Sequence, residues 1–168
     1  MSEKAAQVAS VARSYFEAVG ARDVEAMIGH WETGGVGHIH GIADLRAPEG
    51  YREWFGAMFR AFPDYRFEIL EVIADEERAA VRWRATGTFD GEGRFEGLDP
   101  NGSSVDIEGC DVVEVRDGRI VDLNAYLNGA EMARQLGALP PARSPAEKAM
   151  FGALNLKTRI AAALKRLR

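Results

Sequence analysis

The side chains of this sequence best placed to move a proton are Asp111, His38 and His40. Asp111 lies in the stretch 103–116, where apolar and polar residues alternate with the period of a β-strand. That alternation puts Val105, Ile107, Gly109, Asp111, Val113 and Val115 on one face and Asp106, Glu108, Cys110, Val112 and Glu114 on the other. The first face is apolar, so Asp111 directs a carboxylate into an apolar interior. Burial there without a partner costs several kcal/mol and raises the pKa, which marks an acid, a base or a ligand anchor. The structural alternative is a carboxylate satisfied by Arg82, Arg84 or Tyr126. His38 and His40 are two apart and share a face of a β-like segment, as a general acid or base that titrates near neutrality or as a solvated pair at a strand end. Tyr126 and Asn124 share a face of the last strand and are candidate hydrogen-bond donors to a ligand oxygen. No spacing of His, Cys, Asp and Glu supports a metal site, and the lone Cys110 rules out an internal disulfide. No cofactor is expected.

These residues need elements to hold them. Val8, Val11, Ala12, Tyr15 and Val19 predict a helix over about 4–20, and Asp23 is a fitting N-cap for a second helix, Val24 to Trp31. Val36 to Gly41 is short and β-like. Tyr51, Trp54, Phe55, Met58, Phe59 and Phe62 form an aromatic stripe on a helix that Pro63 must end. The period then changes to two: strands over 65–74 and 79–89, a glycine-rich loop over 90–102, and a hairpin over 102–127 turning at Asp117-Gly118. Helices followed by antiparallel strands give an α+β fold with helices on one sheet face. Most of the aromatic residues belong to the core; Trp31, Tyr51, Trp54 and Trp83 are the ones expected to line a pocket.

The chain of 168 residues carries a net charge of -5, divided unevenly. Residues 143–168 hold seven Lys or Arg against Glu147, leaving the remainder at -11, a balance that repels phosphate backbones and argues against nucleic-acid binding. No apolar run of membrane-spanning or signal-peptide length is present, so a cytoplasmic protein without a membrane partner is expected. In the tail, Ala146, Ala149, Met150, Ala153, Ile160, Leu164 and Leu167 recur at helical spacing opposite Lys157, Lys165 and Arg168, as a helix docked on the domain or on a dimer partner. The expected division is a domain over 1–139 and a basic helical extension over 140–168. The mixed apolar and charged outer face of the 103–116 strand suits a homodimer contact through the sheet.

Three N-terminal helices, the stripe ending in Phe62-Pro63-Asp64, four long strands, the loop Phe95-Glu-Gly-Leu-Asp-Pro-Asn-Gly102 and the closing Asp117-Gly-Arg-Ile120 and Arg134-Gln-Leu-Gly137 resemble the SnoaL-like polyketide cyclases of the nuclear transport factor 2-like superfamily. The resemblance covers about 8–139. It implies a cone, a curved and mainly antiparallel sheet wrapped around the N-terminal helices with a pocket at one end, and an outer face used for dimerisation. It also brings His38 and His40 close to where ketosteroid isomerase, of the same superfamily, places its base. The cyclases of the family carry an acid/base aspartate near the end of the last strand, where this chain has Asn124 and Asn128, and an amide exchanges no proton at neutral pH. Ala125 likewise interrupts the paired-aspartate arrangement of the epoxide hydrolases. What carries over is a pocket for a small hydrophobic or cyclic molecule. The activity is either acid/base chemistry of the cyclase, isomerase or dehydratase type, or ligand binding or protein association without turnover.

Overall fold

The computed structural model describes residues 2–166, except the side chain of residue 163. Helix α1 (Glu3–Gly20) buries Val8, Ala12, Tyr15, Phe16 and Val19 along one stripe. Helix α2 (Val24–Gly29) is capped by Asp23, whose Oδ1 accepts from the Ala26 N–H at 2.9 Å. It stops two residues short of the expected Trp31. Trp31 instead begins strand β1 (Trp31–Ile39), longer than the short segment expected, because Trp31 pairs with Ile120 and Val36 to Ile39 pair with Asp122 to Ala125. Partners more than eighty residues away override the local helical spacing. After β2 (Ala43–Arg46), helix α3 (Glu49–Ala61) buries Tyr51, Phe55, Met58 and Phe59. Asp64, just past Pro63, ties the end of α3 to the sheet by accepting from both the backbone N–H and the hydroxyl of Thr88.

Four strands follow, β3 (Arg66–Ala74), β4 (Arg78–Phe89), β5 (Ser103–Arg116) and β6 (Arg119–Leu127). They assemble with the first two in the order β2-β1-β6-β5-β4-β3. The β1–β6 pair is parallel and the rest are antiparallel. Asp117 and Gly118 turn the β5–β6 hairpin with φ of 49° and 75°, the positive values the hairpin turn requires. On β5 the alternation holds: Val105, Asp111, Val113 and Val115 are buried while Asp106 and Glu108 are exposed. The buried face meets α1 and α3 in one core, and the other face lies open.

Helix α4 (Gly129–Gln135) is capped by Asn128. Helix α5 (Pro145–Arg166) starts from a Ser144 cap: the Glu147 N–H donates to Ser144 Oγ, and Glu147 Oε2 reaches back to accept from the Arg143 N–H. Arg134 donates to the same carboxylate at 2.8 Å, pinning the root of α5 to α4. Past Met150 every described side chain of α5 is exposed. The expected docking onto the chain's own domain is therefore not seen, because the pinned root directs the helix away from the body. Lys157 sits beside Leu156, Ile160 and Leu164 instead of opposite them. Leu167 and Arg168, also read as part of the tail's pattern, lie outside the described residues.

Candidate functional site

A cavity of about 110 Å³ lies between the buried sheet face and helices α1 and α3. Tyr15, Tyr51 and Asp111 form its deep wall, and the half-buried Ile42, Trp54, Ile107, Leu127 and Met132 mark its mouth. Its lining is aliphatic and aromatic apart from the Asp111 carboxyl, the hydroxyls of Tyr15, Tyr51 and Tyr65, and the indole N–H groups of Trp54 and Trp83. An apolar cavity of about 150 Å³ accepts benzene, so this smaller one has room for at most a single small ring.

Asp111 and Glu147 are the two charged side chains buried among the described residues. Glu147 faces Arg134, but Asp111 meets no cation. Its Oδ1 accepts one hydrogen bond, from Trp83 Nε1 at 2.8 Å. Burial pushes the carboxyl up to about 7, and the Trp83 bond pulls it part of the way back. The backbone register explains the pair. Trp83 lies opposite Gly109, and a Cβ at 109 would stand 2.3 Å from Trp83 Cζ2. Only glycine lets the indole lie flat across β5 and reach two residues on to Asp111. The space beside Gly109 is thus filled by the protein's own tryptophan. Arg82 and Arg84, the cations considered as partners for Asp111, point to the open face, where Arg82 pairs with Glu71 and Glu108 and Arg84 with Asp106.

Burial also raises the hydroxyls of Tyr15, Tyr51 and Tyr65 well above the ordinary tyrosine range, with the nearby Asp111 charge adding to the effect. They stay protonated at neutral pH. A Cβ on Gly37 would meet Tyr51 Oη at 2.0 Å, so glycine in β1 makes the room in which that hydroxyl sits. At the mouth, Trp54 donates to Glu96 Oε1 at 2.8 Å and packs on Phe95 at 5.3 Å between ring centroids, bringing the 90–102 loop over the cavity.

Of the residues expected from the sequence, Asp111, Tyr51, Trp54 and Trp83 come together around the cavity. The others go elsewhere. His38 and His40 are on the open face: His38 Nδ1 is 2.8 Å from Asp44 Oδ1, and His40 Nε2 is 2.9 Å from Asn124 Oδ1. Tyr126 stacks on His40 at 4.6 Å and is 51% exposed. The period of two decides this. Ile39, Leu123 and Ala125 face the cavity, so their even-numbered neighbours His38, His40, Asn124 and Tyr126 face away. Asn128 spends its side-chain oxygen on the Glu131 N–H as a helix cap. Trp31 is buried behind the cavity wall, 4.6 Å from Tyr51 between ring centroids, and does not line it. Tyr15, assigned to the core, and Tyr65 and Phe95, not among the expected pocket residues, belong to the wall. A tyrosine on a core stripe was the available signal, since its hydroxyl needs a polar neighbour inside. Among the described residues no group of three or more His, Cys, Asp and Glu could hold a metal ion, and no helix is long and apolar enough to cross a membrane.

A six-stranded sheet backed by N-terminal helices around a mostly apolar cavity is the cone of the nuclear transport factor 2-like class. Within that class the SnoaL-like domain family matches residues 12–123, and the chain belongs to that family. Solved structures agree on the fold. AclR of Streptomyces galilaeus, provisionally named a hydroxylase, is 24% identical over 96% of both chains with a TM-score of 0.70. A protein of Jannaschia sp. CCS1, provisionally named a SnoaL-like polyketide cyclase, is 20% identical over 83% of this chain and 98% of its own, with a TM-score of 0.74. IdmH of Streptomyces antibioticus, provisionally named a polyketide cyclase, is 25% identical over 76% of this chain and 96% of its own, with a TM-score of 0.62. No curated protein matches the chain by sequence.

Proposed function

We propose that this protein binds a small, uncharged, ring-bearing molecule in the cavity and moves a proton on it through Asp111. One observation carries the reading: the carboxyl at the deep wall has a single neutral donor as partner and is poised at about 7. A carboxyl so poised is present as both acid and base at neutral pH, the condition under which general acid–base catalysis works best. The lining offers no cation to balance an anionic substrate. A carbonyl compound fits it well. Asp111 as carboxylate takes a proton from the carbon next to the carbonyl, the C–H electron pair moves to form the enolate, and a protonated tyrosine hydroxyl of the wall donates to the developing oxyanion. Return of the proton to a different atom completes an isomerisation; attack of the enolate carbon on a second carbonyl, whose π electrons move to its oxygen and take the proton back from Asp111, completes a cyclisation. The cyclase names of two structural neighbours agree with this chemistry.

The test is exchange of the α-protons of cyclopentanone or cyclohexanone in deuterium oxide, followed by NMR, with binding read from quenching of Trp54 and Trp83. Wild type should accelerate exchange with a rise centred near pH 7, and Asp111→Asn should lose roughly 10²–10⁴-fold of it while still binding. Binding without exchange in wild type across a series of cyclic ketones would favour a ligand carrier without turnover. No binding at all would remove the cavity from the function.

A further inference from the structure

We infer that Phe95 is a gate that limits the cavity to a single ring, and that the Trp54–Glu96 hydrogen bond is the latch that holds it shut. Such a gate rests on the cavity being the ligand site proposed above, and not on proton transfer by Asp111. Phe95 is the one lining side chain that the 90–102 loop supplies, and it is 6% exposed. Its ring stands edge-on to Trp54 and to Phe62, 5.3 and 5.7 Å between centroids. It therefore fills, over a cavity with room for one ring, the space that a second fused ring would need.

The loop is built to move as a unit. Both of its roots are fixed: the Gly91 and Glu92 N–H groups donate to the Ala61 and Arg60 carbonyls at the end of α3, and the Asn101 and Gly102 N–H groups share the Phe89 carbonyl. Between the roots, the segment 93–100 closes on itself. Phe95 and Leu98 exchange backbone hydrogen bonds of 3.1 and 3.0 Å, and Arg94 pairs with Asp99 at 2.8 Å in solvent. Among the described residues, Trp54 Nε1 to Glu96 Oε1 is the one hydrogen bond that ties this segment to the body. A small lobe held by one polar tie and one buried ring is the kind of unit that opens locally. Glu96 itself points to a task. It sits at the tip of the turn with φ of 49°, followed by Gly97 at 80°. Glycine, asparagine and aspartate enter that left-handed region most readily, and a glutamate there is strained. What the glutamate adds is a carboxylate for the Trp54 indole, and strain of this kind persists where it serves a site. With the latch closed, Trp54 and Phe95 are held together at the mouth, so the ligand selected is monocyclic and fused ring systems are shut out.

Benzene and naphthalene, hydrocarbons that ask nothing of Asp111, test the gate by NMR titration of the full chain. Naphthalene has the larger apolar surface, so on burial alone it would bind more tightly. Wild type should instead prefer benzene. Phe95→Ala should reverse the order and tighten naphthalene by about tenfold or more, and Phe95→Leu, which trims the ring and stays apolar, should give part of that gain. Amide hydrogen exchange tests the latch through Glu96, an exposed side chain. Glu96→Ala should speed exchange of the Phe95 and Leu98 amides about tenfold and admit naphthalene, whereas Glu96→Gln, whose amide oxygen still accepts from Trp54, should stay within about threefold of wild type. Four results would each overturn the inference: naphthalene bound by wild type as tightly as by Phe95→Ala, no naphthalene bound by a folded Phe95→Ala or Phe95→Leu, Phe95 and Leu98 exchange unmoved by Glu96→Ala, or exchange in Glu96→Gln as fast as in Glu96→Ala. Hydrocarbon binding in the expected order without any ketone exchange would uphold the gate and remove the proton transfer by Asp111.

Discussion

Replacing Asp111 by asparagine should make the protein more stable at pH 8 than wild type and leave the difference small at pH 4. The amide keeps an oxygen that can accept from Trp83 Nε1, and it removes the charge. Burial raises the carboxyl from its ordinary 3.8 to about 7, a change worth roughly 4 kcal/mol. Below about pH 4 the carboxyl is protonated in folded and unfolded chains alike, and burial of its charge exacts nothing. Between about pH 4 and pH 7 the unfolded chain releases the proton that the folded chain still holds, so stability falls as pH rises. Above about pH 7 the folded state carries the whole penalty. Every other titrating group is common to both proteins, so the difference between wild type and variant isolates Asp111. Urea unfolding midpoints from pH 4 to pH 8 should show the gap moving by up to about 4 kcal/mol in favour of the variant. In thermal melts that is about 8–16 °C for a chain of this size. Parallel pH curves, agreeing within about 0.5 kcal/mol, would mean that Asp111 is not the buried, unpaired acid described here.

Trp83→Phe removes the one hydrogen bond that lowers the Asp111 pKa, so the midpoint of the same pH-dependent loss should move above 7; a midpoint that stays or falls refutes the pairing. Gly109→Ala places a methyl 2.3 Å from the Trp83 ring and should destabilise by about 1–3 kcal/mol, with a change in tryptophan emission; a wild-type melt would show that the indole does not lie across β5. We propose that residues 1–139 form the folding unit. A chain ending at Pro141 should then retain cooperative unfolding and cavity binding, losing little beyond the Arg134–Glu147 contact, and a molten product by near-UV circular dichroism would place α5 in the core.

Apart from β2, the order of elements was legible in the sequence because it is written in local chemistry: the Asp23 cap, the α3 stripe stopped by Pro63, the Asp117-Gly118 turn and the strict alternation of 103–116. The same alternation predicted that Asp111 faces inward, since a period of two leaves no choice once one face is apolar. What local pattern left open was any assignment that depends on pairing between distant strands. Trp31 continues a helical spacing, yet its pairing with Ile120 makes it strand. His38 and His40 share a face, but which face is set by the parallel register of β1 on β6, and that register turns Ile39 inward and the histidines out. A glycine inside a strand permits another group to come close, and only the β4 register shows that group to be Trp83. The sequence by itself determined that a carboxylate would be buried. Tertiary structure decided that its partner is an indole from the next strand, a neutral donor that leaves the acid near neutrality where an arginine would have held it ionised.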